Sequence, residues 1–288
     1  MPHAPAVLGF LDEQDLVKTI AIALESAPQY AQEEAFSGGE FHLIGPEKTP
    51  ERVVIVTNIQ ETAQSLFRAC LLAQTARLQG AAHVALIAPW IAYGRQDRVT
   101  LPGQSPAGIY VGKTLSAWFD RIYTFDAHSQ GFIDAFQGSL QNIYADPSLC
   151  KSLNTSTIVV APDQGAIDRA QHVATLLNLP STSLIKSRHE GVVTTTFQDK
   201  GIQWSAHIPL LVDDMADSGG TLISAATILR EAGVQKVYAF IPHALRKHLL
   251  VEKSKGIIDV IEAAFDHQTH TYAPHQLSLL AEAYQRGS

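Results

Sequence analysis

Short apolar runs that alternate with amphipathic segments constrain the fold of this chain more than any other feature. Six such runs, rich in β-branched residues, are Val53–Thr57, Val84–Ala88, Ile122–Phe125, Ile158–Ala161, Leu210–Val212 and Val237–Ile241. Strands without polar alternation are typical of a parallel sheet that is covered on both faces. The clearest amphipathic segments between them are Thr62–Leu78, Ala166–Leu177 and Thr221–Ala232. The sequence therefore predicts an α/β fold.

The alternation of apolar runs and amphipathic segments continues through both halves of the chain. Its 288 residues exceed the length of one typical domain. Residues 141–155 interrupt the alternation, because they show little periodicity and contain Asp146-Pro147, which is typical of a turn. We therefore expect two similar open, mostly parallel-sheet domains, one at 1–145 and one at 146–288. Residues 274–284 predict a closing helix, which these bounds place in the second domain.

The charge balance excludes some classes of partner. Lys and Arg number 21 against 28 Asp and Glu, which gives a formal net charge of −7. Non-specific binding to nucleic acid or to an anionic membrane needs a basic face. We therefore expect neither a nucleic-acid nor a membrane partner, and any phosphate site must be local.

Cysteine usage and hydropathy predict a cytoplasmic location. Cys70 and Cys150 lie far apart and form no Cys-x-x-Cys pair, which predicts two buried thiols in a reducing compartment. Met1–Phe10 has no basic region ahead of an apolar run. The longest apolar stretch, Ala81–Tyr93, contains His83 and is too short to span a bilayer.

The strongest chemical signal lies at Leu210–Thr221, where an apolar run is followed by three acids, a Ser-Gly-Gly-Thr turn and an amphipathic segment. Glycines let backbone N–H groups converge on an anion, and a helix N-terminus adds roughly half a positive charge. The hydroxyls of Ser218 and Thr221 can donate further hydrogen bonds. These residues predict a phosphate site built without lysine.

Two adjacent carboxylates, Asp213 and Asp214, follow the same strand. At the carboxyl end of a parallel strand, ionised carboxylates can accept hydrogen bonds from the vicinal hydroxyls of a sugar. Together with the phosphate site they predict a sugar phosphate ligand. The alternative is an acidic turn in which Asp217 or Ser218 caps the helix, but caps do not explain the paired acids or the double glycine.

This segment resembles the 5-phosphoribosyl-diphosphate binding motif of phosphoribosyltransferases, in which an acidic pair is followed by two residues, Asp, Ser or Thr, and Gly-Gly-Thr. The resemblance implies phosphoribosyltransferase-like domains and a site for ribose 5-phosphate. The implied binding residues are Asp213, Asp214, Asp217, Ser218, Gly219, Gly220 and Thr221. Ribose-phosphate pyrophosphokinases carry the same motif, so it does not by itself separate the two families.

Two segments of the first half resemble the pyrophosphokinases. Tyr93–Arg98 contains Arg-Gln-Asp-Arg, whose guanidinium groups can bind phosphate or stack on adenine, although alone it could equally be an exposed, salt-bridged loop. It is similar to the ATP-site motif of that family, and Phe36–Glu40 resembles a family loop that reaches the neighbouring subunit's adenine pocket. The implied ATP-binding residues are Phe36, Glu40, Arg95, Gln96 and Asp97. A homo-oligomer, dimeric or higher, with shared active sites is implied as well.

Asp and His residues at two strand ends resemble the metal site of the same family. Phe125-Asp126-Ala127-His128 ends one predicted strand, and Pro162-Asp163-Gln164-Gly165 ends another. A lone His is more often a structural residue. The family, however, holds Mg²⁺ with an Asp-x-His and a Pro-Asp-x-Gly, and Mg²⁺ prefers oxygen ligands. The resemblance therefore implies Mg²⁺ bound by Asp126, His128 and Asp163.

Catalytic residues are implied by a third likeness. Lys186-Ser187-Arg188 resembles the Lys-Arg-Arg start of the family's flexible catalytic loop, whose two cations close over the phosphates. The alternative is a solvated basic turn. Asp217, near the anomeric centre, is a candidate acceptor for the hydroxyl proton. The implied catalytic residues are Lys186, Arg188 and Asp217.

Taken together, the motifs resemble the compact form of ribose-phosphate pyrophosphokinases. The resemblance implies transfer of the β,γ-diphosphoryl group of MgATP to the anomeric hydroxyl of ribose 5-phosphate, giving 5-phosphoribosyl diphosphate and AMP. Two alternatives remain open. One is a non-catalytic regulatory relative, which Gly38 and Ala63 favour because the family carries Asp and Asn there. The other is a phosphoribosyltransferase, in which Phe36–Glu40 and Arg95–Arg98 would have no role.

Overall fold

The computed structural model describes residues 4–147, 150, 153, 155–189, 192–197, 201–267 and 269–287. The described residues divide into two compact units. The first comprises those of Met1–Ile143 and Pro274–Ser288, and the second those of Tyr144–Ala273. Each unit is built on a mostly parallel sheet with helices, so the predicted fold class is confirmed.

The described strands of the first unit form a seven-stranded sheet in the order β3-β2-β1-β4-β5-β6-β7. The strands are β1 (Ala6–Phe10), β2 (Pro28–Ala35), β3 (Phe41–Ile44), β4 (Arg52–Val56), β5 (His83–Ile87), β6 (Arg121–Phe125) and β7 (Leu140–Ile143). The helices between them are α1 (Gln14–Ala23), α2 (Ala63–Leu78), α3 (Ala107–Trp118) and α4 (Gln130–Asp134). All neighbouring strands pair in parallel except β2 and β3, which form an antiparallel hairpin at one edge.

The described strands of the second unit form an eight-stranded sheet in the order β10-β9-β8-β11-β13-β14-β15, with β12 paired to β13. The strands are β8 (Thr157–Ala161), β9 (Ser181–His189), β10 (Val192–Phe197), β11 (Ile208–Val212), β12 (Met215–Ala216), β13 (Tyr238–Ala244), β14 (Val260–Asp266) and β15 (Thr271–Tyr272). The helices are α5 (Ile167–Leu177), α6 (Gly220–Glu231) and α7 (Lys247–Ser254). The outermost pairs β9–β10 and β14–β15 are antiparallel.

The closing helix α8 (Pro274–Gly287) belongs to the first unit, whereas the sequence-based bounds placed it in the second domain. It packs on α1 and β6, and the Tyr284 ring meets the Tyr123 ring edge to face at 5.9 Å. An amphipathic pattern predicts that a helix has a buried face, but it does not say which sheet covers that face. The unit boundary at Ile143 and Tyr144 lies close to the predicted one.

The central strands and both cysteines are buried in the described structure. The central strands β1 and β8 are buried along their whole length, as expected for parallel strands covered on both faces. Cys70 and Cys150 are both buried and free of disulfide bonds, as the sequence predicts. No helix in the described part of the chain is long and apolar enough to cross a membrane.

Candidate active site

Three carboxylates meet at the carboxyl ends of β8 and β11 in the second unit. Asp213 directly follows β11, and its Oδ1 accepts a hydrogen bond of 2.9 Å from the backbone N–H of Asp214. Burial, followed by the negative charges of Asp214 and Asp163, raises the pKa of Asp213 to about 7. Such a cluster is stabilised by a cation or by hydroxyl donors, which a metal ion or a sugar would provide.

A glycine-rich turn lies beside this cluster. Gly219 has a φ of +75°, and a Cβ on it would lie 2.2 Å from Cδ1 of Leu250, so both backbone conformation and packing require glycine. Helix α6 begins at the next residue, where a Cβ on Gly220 would meet no described atom within 4 Å. Because the N-cap is a glycine, it has no side chain that could cap the first N–H groups of α6. The turn is therefore shaped to receive an anion.

Asp163 is anchored at the end of β8. Its Oδ1 accepts a 3.0 Å hydrogen bond from the backbone N–H of Gly165 and so caps a short 3₁₀ turn at Gln164–Ala166. The same carboxylate is one of the charges that raise the pKa of Asp213. The structure thus brings together Asp163 and Asp213, which the sequence analysis assigned to metal and sugar respectively.

In the first unit, the segment that follows β5 presents Arg95 and Gln96 to solvent. Asp97 behaves differently, because its side chain is only 12% exposed and its Oδ2 accepts a 2.5 Å hydrogen bond from Ser129 Oγ. Ser129 Oγ in turn caps α4 by accepting a hydrogen bond from the Phe132 N–H. The carboxylate of Asp97 therefore ties the Arg95 segment to the loop after β6.

That loop carries two of the predicted metal residues. Asp126 is buried and has a φ of +42°, a strained conformation for a residue other than glycine. His128 lies against the Arg95 segment, since a Cβ on Gly94 would be 3.0 Å from the His128 Cβ. The structure thus brings His128 next to the predicted nucleotide residues, with Asp126 two positions earlier on the same loop, while Asp163 belongs to the second unit.

The predicted adenine loop is the tip of the β2–β3 hairpin. The Phe36 N–H donates to the Glu40 carbonyl at 2.7 Å, and the Gly39 N–H donates to the Phe36 carbonyl at 2.9 Å. Phe36 is 53% exposed, and its ring meets the His42 ring edge to face at 5.2 Å. A large exposed aromatic side chain at the tip of an edge hairpin is suited to contact another molecule.

Lys186 and Arg188 lie on β9, where they pair with Thr195 and Val193 of β10. The sequence analysis placed them at the start of a flexible loop, so this position differs from the expectation. The end of β9 is polar and lacks the continuous apolar run that indicates a buried strand, so its pairing with β10 is not apparent from the sequence. The side chains of Lys186 and Arg188, and residues 190–191, lie outside the described part of the structure.

The sequence analysis missed two charged residues of these strand ends. Glu13 accepts hydrogen bonds from the Thr57 hydroxyl at 2.5 Å and from the Asn58 side chain at 2.8 Å, just beyond β4, and burial raises its pKa. Arg246 follows β13 and binds the Asp217 carboxylate through two nitrogens, with Nη2 2.7 Å from Oδ2. The available signal in both cases was a charged residue close behind an apolar run.

Comparison with known proteins supports one family for the whole chain. A model of the N-terminal domain of ribose phosphate pyrophosphokinase matches residues 6–117, and a phosphoribosyl transferase domain model matches residues 129–278. The ribose-phosphate pyrophosphokinase of Methanopyrus kandleri is 31% identical over 245 residues, covering 83% of this chain and 84% of that protein. The chain belongs to the ribose-phosphate pyrophosphokinase family.

Two further relatives extend this family assignment. The ribose-phosphate pyrophosphokinase of Pyrococcus abyssi is 30% identical over 228 residues, covering 77% of this chain and 79% of that protein. A crystal structure of phosphoribosylpyrophosphate synthetase from Mycobacterium smegmatis superposes with a TM-score of 0.78 at 19% identity, covering 98% of this chain and 99% of that one. At that identity the superposition establishes the fold of this family member.

Proposed function

We propose that this chain transfers the β,γ-diphosphoryl group of ATP to the anomeric hydroxyl of ribose 5-phosphate, giving 5-phosphoribosyl diphosphate and AMP. The observation that carries the proposal is the second-unit site, where the Asp213 carboxylate cluster adjoins an open glycine turn at a helix N-terminus. That arrangement fits a ligand with vicinal hydroxyls at one end and a phosphate at the other.

In this proposal the backbone N–H groups at Ser218–Thr221 bind the 5-phosphate, and Asp213 with Asp214 accepts hydrogen bonds from the ribose hydroxyls. In the sequence, Asp217 stands between the Asp213–Asp214 pair and the Ser218–Thr221 turn. An ion-paired carboxylate is a poor proton acceptor, so the contact with Arg246 weakens the assignment of Asp217 as the proton acceptor. We assign it instead to binding the sugar, and the hydroxyl proton passes to solvent.

The exposed Arg95 and Gln96 are proposed to bind ATP, with Asp97 holding their segment in place. Asp126 and His128 of the first unit, and Asp163 of the second, are each proposed to bind Mg²⁺. Within the described residues, no group of three His, Cys, Asp or Glu side chains could hold a metal ion by itself. The carboxylates of the set provide oxygen donors, which suit this ion, and Asp163 already lies in an electrostatically strained cluster that a cation relieves. When bound, Mg²⁺ neutralises negative charge on the phosphate oxygens. Positioning and charge stabilisation then carry the transfer.

The direct test is ³¹P NMR of the purified chain with ATP, Mg²⁺ and ribose 5-phosphate. The proposal predicts that AMP and a new diphosphate ester appear together and in equal amounts. If neither forms although ribose 5-phosphate binds, the proposal fails. Adding a purine base with 5-phosphoribosyl diphosphate would then test the transferase alternative, and adding an active relative would test the regulatory one.

Lys186→Ala is expected to lower kcat by about a hundredfold or more while changing the affinity for ribose 5-phosphate less than about twofold. The reason is that a cation acting on the transferring group is needed chiefly in the transition state. Steady-state kinetics and calorimetric titration separate the two effects. Lys236→Ala, which removes an exposed lysine elsewhere in the second unit, is the matched control. Unchanged kcat in Lys186→Ala would remove this residue from the mechanism.

We also propose a homo-oligomer in which the Phe36–Glu40 hairpin tip completes a neighbour's ATP site. Phe36→Ala and Arg95→Ala are each expected to be nearly inactive, because each damages every site of its own oligomer. Mixing the two variants under conditions that allow subunit exchange should restore part of the activity, since hybrid oligomers contain some sites with both residues intact. Activity assays of mixed and separate samples check this. No recovery after verified exchange would contradict the shared site.

A further inference from the structure

We infer that Arg246 is a phosphate-binding residue of the second-unit site. It supplies the cation that the glycine turn itself lacks. This inference rests on the proposed function in one respect, namely that the natural ligand is ribose 5-phosphate. The anion-binding role itself does not depend on the identity of the ligand. Segment 213–221 contains no lysine or arginine, and Arg246 provides the positive charge from a different part of the sequence.

The backbone fixes Arg246 beside the turn. Strands β12 and β13 pair in parallel, with Ala216 opposite Ala244, and the Leu245 N–H donates to the Ala216 carbonyl at 2.9 Å. These contacts bring Leu245 level with Asp217, and the next residue, Arg246, reaches the Asp217 carboxylate with its side chain. The position of the arginine therefore follows from the sheet register and does not depend on a chance surface contact.

Helix α7 gives the position a second anchor. Arg246 is the N-cap residue of α7, and Leu250 of the same helix packs against Gly219 at the centre of the turn. Lys247, the first residue of α7, approaches a different carboxylate, with Nζ 3.8 Å from Asp266 Oδ2. Of these two neighbouring cations, Arg246 is thus the one directed to the phosphate turn.

The side chain is placed to accept an anion. Its Nε and Nη2 bind the Asp217 carboxylate, so the edge of the guanidinium group that carries Nη1 faces away from this contact. The side chains of Arg246 and Asp217 are 53% and 39% exposed, which leaves the pair open to an incoming ligand. We therefore expect the Nη1 edge of the guanidinium group to donate to a phosphate bound on the adjacent turn.

Charge balance explains why this arginine is needed. The turn lies close to several carboxylates. One is Asp217, which pairs with Arg246, and the others form the neighbouring cluster of Asp213, Asp214 and Asp163. Each ionised carboxylate repels a phosphate dianion. Arg246 neutralises the carboxylate next to the turn and adds a donor for the phosphate. Its removal therefore both deletes an attraction and exposes a repulsion.

The test is calorimetric titration of the wild-type chain, Arg246→Ala, Arg246→Lys and the charge-matched control Lys253→Ala, which removes an exposed cation of α7. Ribose 5-phosphate and inorganic phosphate are titrated separately. Arg246→Ala is expected to bind either anion about tenfold to a hundredfold more weakly, with partial rescue by lysine and less than about a twofold change in the control. Circular dichroism melting verifies that each variant is folded.

A double variant separates a binding role from a structural one. Asp217→Asn in the Arg246→Ala background should recover part of the affinity for inorganic phosphate, because the exposed repulsion is gone. Equal affinity for phosphate in wild type and Arg246→Ala, or no phosphate binding by the wild type, would overturn the inference. If the wild type binds inorganic phosphate but not ribose 5-phosphate, the proposed function fails while the Arg246 comparison still decides the inference.

Discussion

Replacing Gly219 with Ala is expected to abolish binding of ribose 5-phosphate and to lower the free energy of unfolding by about 2 to 5 kcal/mol. Two costs add up in this estimate. A Cβ at a φ of +75° costs about 1 to 2 kcal/mol, and overpacking against Leu250 costs about 1 to 3 kcal/mol. Shifting Leu250 would also move α7 away from the turn. Chemical denaturation and calorimetric titration measure the two effects.

Gly220→Ala is the informative partner of that variant. A Cβ there meets no described atom within 4 Å, and the residue begins a helix, so stability should stay the same or rise slightly. The added methyl group nevertheless fills space that we assign to the phosphate, and ribose 5-phosphate affinity should fall about tenfold or more. Ser224→Ala, an exposed position of the same helix, should change neither quantity. Full ligand affinity in Gly220→Ala would contradict the placement of the phosphate.

Asp213→Asn is expected to reduce turnover about a hundredfold or more and, at pH 8, to raise the free energy of unfolding. Turnover falls because hydrogen bonds from the ribose hydroxyls to a charged group are lost. Stability rises because the pKa of Asp213 is about 7 in the folded chain against an ordinary value of 3.8. Above pH 7 the folded state holds an ionised carboxylate in a buried, negatively charged cluster.

The sign of this effect gives a pH test. Between about pH 4 and 7 the folded chain retains a proton on Asp213 that the unfolded chain releases, so the contribution of this group to stability is present at low pH and is lost as pH rises through 7. The stability difference between Asp213→Asn and wild type should therefore grow from pH 5 to 8. Glu252→Gln, which removes an exposed carboxylate of α7, should show no such trend. A constant difference between Asp213→Asn and wild type would contradict the raised pKa.

The six apolar runs predicted six strands correctly, because buried parallel strands leave a local signal in composition. They correspond to β4, β5, β6, β8, β11 and β13. The strands of the edge hairpin, β2 and β3, were not predicted, since β2 is mostly polar and β3 has only four residues. The central strand β1 was not predicted either, because a five-residue apolar run with a glycine does not by itself distinguish a strand from another short apolar segment.

The site was predictable where one continuous segment encodes it. Leu210–Thr221 contains the strand end, the carboxylates and the glycine turn in order, so the sequence analysis located all of them. Arg246 was not found, since its relation to Asp217 depends on the pairing of β12 with β13, which places residues 29 positions apart in contact. The closing helix was assigned to the wrong half for the same reason. Contacts between residues that are distant in the sequence determine both the Arg246–Asp217 pair and the unit on which α8 packs.

The most direct measurement of the central claim follows the β-phosphorus of ATP. The chain is incubated with [β-³²P]ATP, Mg²⁺ and ribose 5-phosphate, and the products are separated by chromatography. Diphosphoryl transfer predicts that the label moves into a sugar diphosphate ester while the released AMP is unlabelled. Label in ADP would show transfer of a single phosphoryl group, and label retained in ATP under conditions where ribose 5-phosphate binds would show no transfer. Either of these results would contradict the account.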